Sequence, residues 1–137
     1  FDRLAARGIG TARVTLHVGL GTFAPVKADD PTKHAIHREW CEVKPGAGEA
    51  IRAAKARGGR VVAVGTTTTR TLESAAVLPS PRSDGERAAE SLRPGEGFLR
   101  PYCGETGLLI HDPFDFRVVD ALVTNFHLPR TTLLLLV

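Results

Sequence analysis

Residues 12–20, ARVTLHVGL, alternate strictly, with Val14, Leu16, Val18 and Leu20 on one side and Thr15, His17 and Gly19 on the other. A period of two predicts a half-buried strand. It runs into Gly21, Thr22 and Phe23, an exit of small residues that lets backbone come close to a neighbour. The period changes over residues 47–57, where Ala47, Ala50, Ile51 and Ala54 recur at helical spacing and Gly58-Gly59 forms a stop. Residues 60–64, RVVAV, are nearly all apolar, as in a parallel strand buried on both faces. Gly65, Thr66 and Thr67 then turn directly into a helix reaching Val77. Helix, buried strand, polar turn and helix in succession predict a layered α/β domain with a mainly parallel sheet.

Elsewhere the pattern is weaker. Residues 2–7 read as the end of a helix stopped by Gly8. Asp29-Asp30-Pro31 opens a turn or short helix carrying His34 and His37, and residues 38–43 extend as a strand. Residues 79–101 are rich in Pro, Gly, Ser and Arg without periodicity and read as a surface loop. Residues 108–110 and 117–123 read as strands, and residues 124–129 as a loop. Thr131 or Thr132 would cap a final helix, although the leucine run at 133–136 also fits a buried strand. There is no internal repeat, and residues 1–137 are expected to form part of a single α/β domain.

Composition narrows the class. Hydrophobic residues are 42% and charged residues 24% of the 137, which is globular and excludes a disordered chain. No apolar run approaches the ~20 residues of a membrane helix, so no membrane partner is expected. Cys41 and Cys103 have no metal-type spacing, and a reducing cytoplasm is the expected location. The net charge of +3 permits a nucleic-acid partner without demanding one. The chain has no Met, opens on Phe1 and ends on an apolar run. These features together suggest a piece of a longer protein.

Four constellations bear on chemistry. In LHVGLGTF, His17, Gly19, Gly21, Thr22 and Phe23 lie where a strand ends, the usual position of a ligand crevice in open α/β sheets. It is not the dinucleotide fingerprint, which has a third glycine. In HAIHRE, His34 and His37 would share a helix face, with Glu39 beside them. A zinc site would need a further ligand from His17, His111 or His127, and nothing in the spacing brings one close, so no metal is expected. In GTTTTRTLE, Gly65, Thr66 and Thr67 at a helix start would cradle phosphate or carboxylate, with Arg70 as a clamp. Simple capping, with Arg70 and Glu73 paired on a solvated face, is the other reading. In VTNFHLPR, Thr124, Asn125, His127 and Arg130 fall in a loop after a strand, and His127 titrates in the range of an acid or base.

In this order VTLHVGLGTFAPV, HAIHRE, GGRVVAVGTTTTRTLESA and FRVVDALVTNFHLPRTTLLLLV resemble the S-adenosylmethionine:tRNA ribosyltransferase-isomerases of queuosine biosynthesis. The resemblance covers nearly everything except residues 79–101. It implies an α/β domain interrupted by a β-barrel, with this chain matching the stretch after the barrel. It also implies transfer of the ribosyl group of S-adenosylmethionine to the 7-aminomethyl-7-deazaguanine of a tRNA, giving epoxyqueuosine, adenine and methionine. S-adenosylmethionine is then the donor substrate, and no metal or redox cofactor is expected. The protein would act as a monomer.

On that resemblance His17 and His127 are the acid/base candidates and Asn125 orients the ribose. Gly19, Gly21 and Thr22 admit the nucleoside. Thr66, Thr67 and Arg70 hold the methionine carboxylate or a tRNA phosphate, and Glu39 or Glu73 lies near the sulfonium. The chain departs from the family pattern at Trp40-Cys41, Gly107 and Asp112-Pro113-Phe114. Two rival readings fit the same residues: a metal-dependent hydrolase using His17, His34, His37 and Glu39, and a non-catalytic tRNA-binding module.

Overall fold

A computed structural model describes residues 1–19, 30, 34, 36–77, 99–127, 129 and 131–137. Its elements in order are α1 (Asp2–Ala5), β1 (Thr15–Leu16), β2 (Glu39–Val43), α2 (Pro45–Ala56), β3 (Val62–Val64), α3 (Thr66–Val77), β4 (Tyr102–Thr106), β5 (Ala121–Val123) and α4 (Thr132–Leu136). The fold is α/β, with the helices and strands mixed along the chain.

The sheets correct the expected pairing. Among the described residues β1, β2 and β4 form an antiparallel sheet, and only β3 and β5 run parallel. Glu39 pairs with Thr106 and Val43 with Tyr102, while Val62 pairs with Ala121 and Val64 with Val123. The strand expected at residues 12–20 shortens to Thr15–Leu16. Beyond it the Gly19 N–H bonds to the Glu39 carboxylate instead of a strand neighbour, and Val18 is exposed. Similarly, β3 is covered on one face only: Val61 and Ala63 are buried, whereas Val62 and Val64 are 49% and 71% exposed.

Residues 108–110 are not a strand, because the Leu108 N–H is taken by the Thr106 hydroxyl at 3.1 Å. The strand lies just before them, as β4, whose Tyr102 and Thr106 are buried and Cys103 and Glu105 exposed. Pro45 opens α2 two positions before the expected start, since its ring presets the helical φ and it gives up an N–H that has no partner there. Ala47 and Gly48 form its buried face, while Ala50 points outward. The leucine run is helical, with Thr131 at its N-cap. Leu20, the residues at 31–33 and the segment 79–98 lie outside the described residues.

Between the two sheets runs α3, which packs against β1, β2 and β4 as well as β3. Nine of its twelve residues are buried, yet most of these are polar. A helix enclosed on all sides is ordinarily hydrophobic. Here Leu72, Ala75 and Ala76 join a core with Cys41, Val43, Leu99, Tyr102 and Val118, and the polar remainder is held by hydrogen bonds.

Candidate active site

Two of the sequence motifs leave the parallel pair side by side. The strand β3 ends at Val64 and β5 at Val123, and the Gly65 N–H donates to the Val123 carbonyl at 2.8 Å. Gly65 turns the chain into α3 at φ +94°, a conformation that side chains rarely adopt. The helix start at Thr66 and the loop at Thr124 therefore share the carboxyl edge of the pair, where open α/β sheets take ligands. Thr124 Oγ1 lies 3.1 Å from His127 Nε2, which holds the ring at that edge, and Asn125 is exposed beside it. A concave region of about 340 Å³ adjoins Thr124, lined also by Thr69, Phe116, Leu122 and Leu136.

A second cluster forms one turn along α3. Arg70 Nη1 donates to Glu39 Oε2 at 2.7 Å, with the two side chains only 5% and 2% exposed. Arg70 Nη2 donates to the carbonyls of His37 and Thr106, each at 3.2 Å. The other Glu39 oxygen accepts the Gly19 N–H at 2.7 Å. His17 is exposed just before it, its ring tilted at 46° against Trp40 with centroids 4.7 Å apart. Beneath them burial pushes the Cys41 thiol up to about 11, against the opposing pull of Arg70.

Glu73 lies one turn further and is fully buried. Its carboxylate accepts the N–H groups of Arg117, Val118 and Val119 at 2.9, 3.0 and 2.8 Å. This diversion explains why β5 starts at Ala121 and not at residue 117. Three of the α3 threonine hydroxyls, those of Thr68, Thr69 and Thr71, bond back to carbonyls four residues earlier. Thr68 Oγ1 donates to the Val64 carbonyl and Thr71 Oγ1 to that of Thr67, at 2.7 and 2.8 Å. Ser74 bonds both the Arg70 carbonyl and the Thr106 hydroxyl. Such back-bonding to the residue four earlier satisfies the Thr71 and Ser74 hydroxyls, whose side chains are shut away from water.

The structure therefore brings His17, Gly19, His37, Glu39 and Arg70 into one cluster, and Gly65, Thr66, Thr124 and His127 to one sheet edge. It gives no helix to His34 or to residues 36–38, so the shared helical face expected for His34 and His37 does not form. Arg70 and Glu73 are not a surface ion pair. A cavity touching Thr66, Thr67 and Arg70 has room for about one water, roughly 10 Å³. Gly21, Thr22, Phe23 and Arg130 lie outside the described residues. Among the described residues no three His, Cys, Asp or Glu side chains gather in a metal-ligating group.

The whole chain, residues 1–137, matches the family described as "Queuosine biosynthesis protein". The chain belongs to that family. Its similar relatives include proteins named S-adenosylmethionine:tRNA ribosyltransferase-isomerase from Rhodopseudomonas palustris and Symbiobacterium thermophilum. The first is 52% identical over 134 residues, covering 98% of this chain and 32% of the relative. The second is 52% identical over 136 residues, covering 99% and 35%. A solved structure, the S-adenosylmethionine tRNA ribosyltransferase of Thermotoga maritima, is 39% identical with a TM-score of 0.66, over 98% of this chain and 36% of that one. The chain thus spans about a third of the length of the relatives it matches.

Within the queuosine biosynthesis family fold, three contributors to the cluster escape motif reading: Trp40 under His17, and Ser74 and Thr106 beside Arg70. Ser74 sits four residues after Arg70, a helical spacing that signals a shared face. Trp40 and Thr106 reach the cluster only through strand register, which no local spacing encodes.

Proposed function

We propose that this chain is one third of a tRNA-modifying S-adenosylmethionine:tRNA ribosyltransferase-isomerase. The full-length polypeptide would move the ribosyl moiety of S-adenosylmethionine onto the 7-aminomethyl-7-deazaguanine base of a tRNA, forming epoxyqueuosine and releasing adenine and methionine. The observation that carries this reading is the family match over all 137 residues, joined to relatives of that name at about half identity.

The geometry suits the chemistry required. A base must take the C5′ hydrogen acidified by the adjacent sulfonium, and a proton must be supplied as adenine leaves. We assign these roles to His127, bonded to Thr124 at the carboxyl edge of the parallel pair, and to His17, whose ring lies against Trp40. Asn125 is exposed beside His127 and would orient the ribose hydroxyls. Gly19, Gly21 and Thr22 would admit the nucleoside. The reaction starts from an already activated sulfonium, so it runs without a metal or redox cofactor. The enzyme acts as a monomer in the cytoplasm, where its tRNA substrate is found.

The test gives the full-length polypeptide S-adenosylmethionine and precursor-bearing tRNA. Adenine release together with a gain in tRNA mass is expected, and the absence of both would overturn the reading. His17→Ala and His127→Ala should each depress turnover. Near-normal rates in both would remove the acid/base roles while leaving the reaction intact.

A further inference from the structure

Arg70 and Glu73 are three positions apart on α3 and both buried, yet each extends to a different segment of the chain. Arg70 grips Glu39, whose other oxygen holds the N–H of Gly19, two residues after His17. Glu73 gathers the N–H groups of Arg117, Val118 and Val119, which lead through β5 to Thr124, Asn125 and His127. Neither has much left to offer a ligand. Both Arg70 Nη atoms donate within the protein, its Nε is buried without a partner, and the cavity beside it has room for about one water. Both Glu73 oxygens accept backbone N–H groups, and its side chain is shut off from solvent.

We infer that Arg70 and Glu73 are positioning residues, not substrate ligands: α3 holds the His17 segment through Glu39 and the Asn125–His127 segment through β5. The inference rests on the acid/base reading of His17 and His127 given above. Burying a charge costs several kcal/mol unless excellent partners offset it, and apolar replacements are often as stable. Two adjacent buried charges are explained by what they hold. Each fixes backbone that no regular ladder holds at that point, and each does so next to a segment carrying an acid/base candidate.

The test compares Arg70→Lys and Glu73→Gln in the full-length polypeptide by amide hydrogen exchange and steady-state kinetics. Exchange should quicken about tenfold or more at residues 15–19 in Arg70→Lys and at residues 117–123 in Glu73→Gln, each variant leaving the other segment unchanged. Adenine release should fall about tenfold or more in kcat, with KM for S-adenosylmethionine within about twofold. Glu39→Gln should reproduce the Arg70→Lys pattern. A raised KM with kcat retained would make these residues ligands and overturn the inference. So would equal loosening of both segments, or none. Should Glu73→Gln fail to fold, Glu73→Asp is read by the same two measurements. Failure of the acid/base reading shows separately, as normal turnover in the two histidine variants while the exchange pattern stands.

Discussion

At the Arg70–Glu39 pair, two charges lie 2.7 Å apart with almost no solvent contact, so removing one leaves the other stranded. Glu39→Leu should therefore lower the free energy of unfolding by about 3–5 kcal/mol. The Lys55–Asp120 pair has the same 2.7 Å separation, but about a third of each side chain is exposed. Lys55→Met should cost about 1 kcal/mol or less, because water screens the pair and solvates whichever charge remains. Urea unfolding of the two variants measures the contrast. Equal losses would show that burial does not set the strength of the α3 pair. The threonines make the same point with neutral groups. They are poor helix formers, but the buried Thr71 hydroxyl bonds the carbonyl four residues back, so a polar helix can be enclosed without orphaning it.

At the scale of elements, the turn from β3 into α3 depends on Gly65. Its φ of +94° is costly for a residue with a Cβ, although a Cβ there would meet nothing closer than 3.7 Å. Gly65→Ala should destabilise through backbone strain alone, by about 1–2 kcal/mol, readable as a lower urea midpoint with an unchanged m-value. This turn was legible in the sequence, because a Gly between an apolar run and a helical one marks a boundary by local chemistry. The same holds for α3, which spans Thr66–Val77 as the pattern predicts, and for α2 with its Gly58 stop. What the pattern missed depends on distant partners. YCGET makes a poor strand by propensity and becomes β4 because β2 pairs with it along its length. Residues 117–119 have strand composition, but Glu73, more than forty positions away, takes their N–H groups. The candidate site divides the same way. His127 beside a strand end was readable from spacing, whereas Arg70 and Glu73 looked like a ligand clamp and an exposed pair until their burial was known.

Over the whole molecule, α3 joins an antiparallel sheet to a parallel pair, and ionisable groups on the two sides limit stability from opposite ends of the pH scale. Asp120 bonds Lys55 and the Val61 N–H, tying α2 to the start of β3. Burial alone would raise its carboxyl, but Lys55 and Val61 outweigh that and hold it below its ordinary 3.8. The folded state therefore binds this proton less readily than the unfolded chain. The stabilisation is present above about pH 3.8 and is lost as pH falls through the depressed folded value. Cys41 behaves oppositely, since burial lifts its thiol from an ordinary 9.0 to about 11. Its contribution is complete below pH 9.0 and drains away as pH rises towards 11, because the unfolded chain ionises first. Urea midpoints across the pH range should thus show a plateau with two shoulders. Asp120→Asn should lower the acid shoulder in part and leave the alkaline one. Cys41→Ala should reduce the alkaline shoulder only in part, because Tyr102, also raised by burial, remains. An acid shoulder that survives Asp120→Asn at full height would mean that the link from α2 to β3 does not set the acid limit.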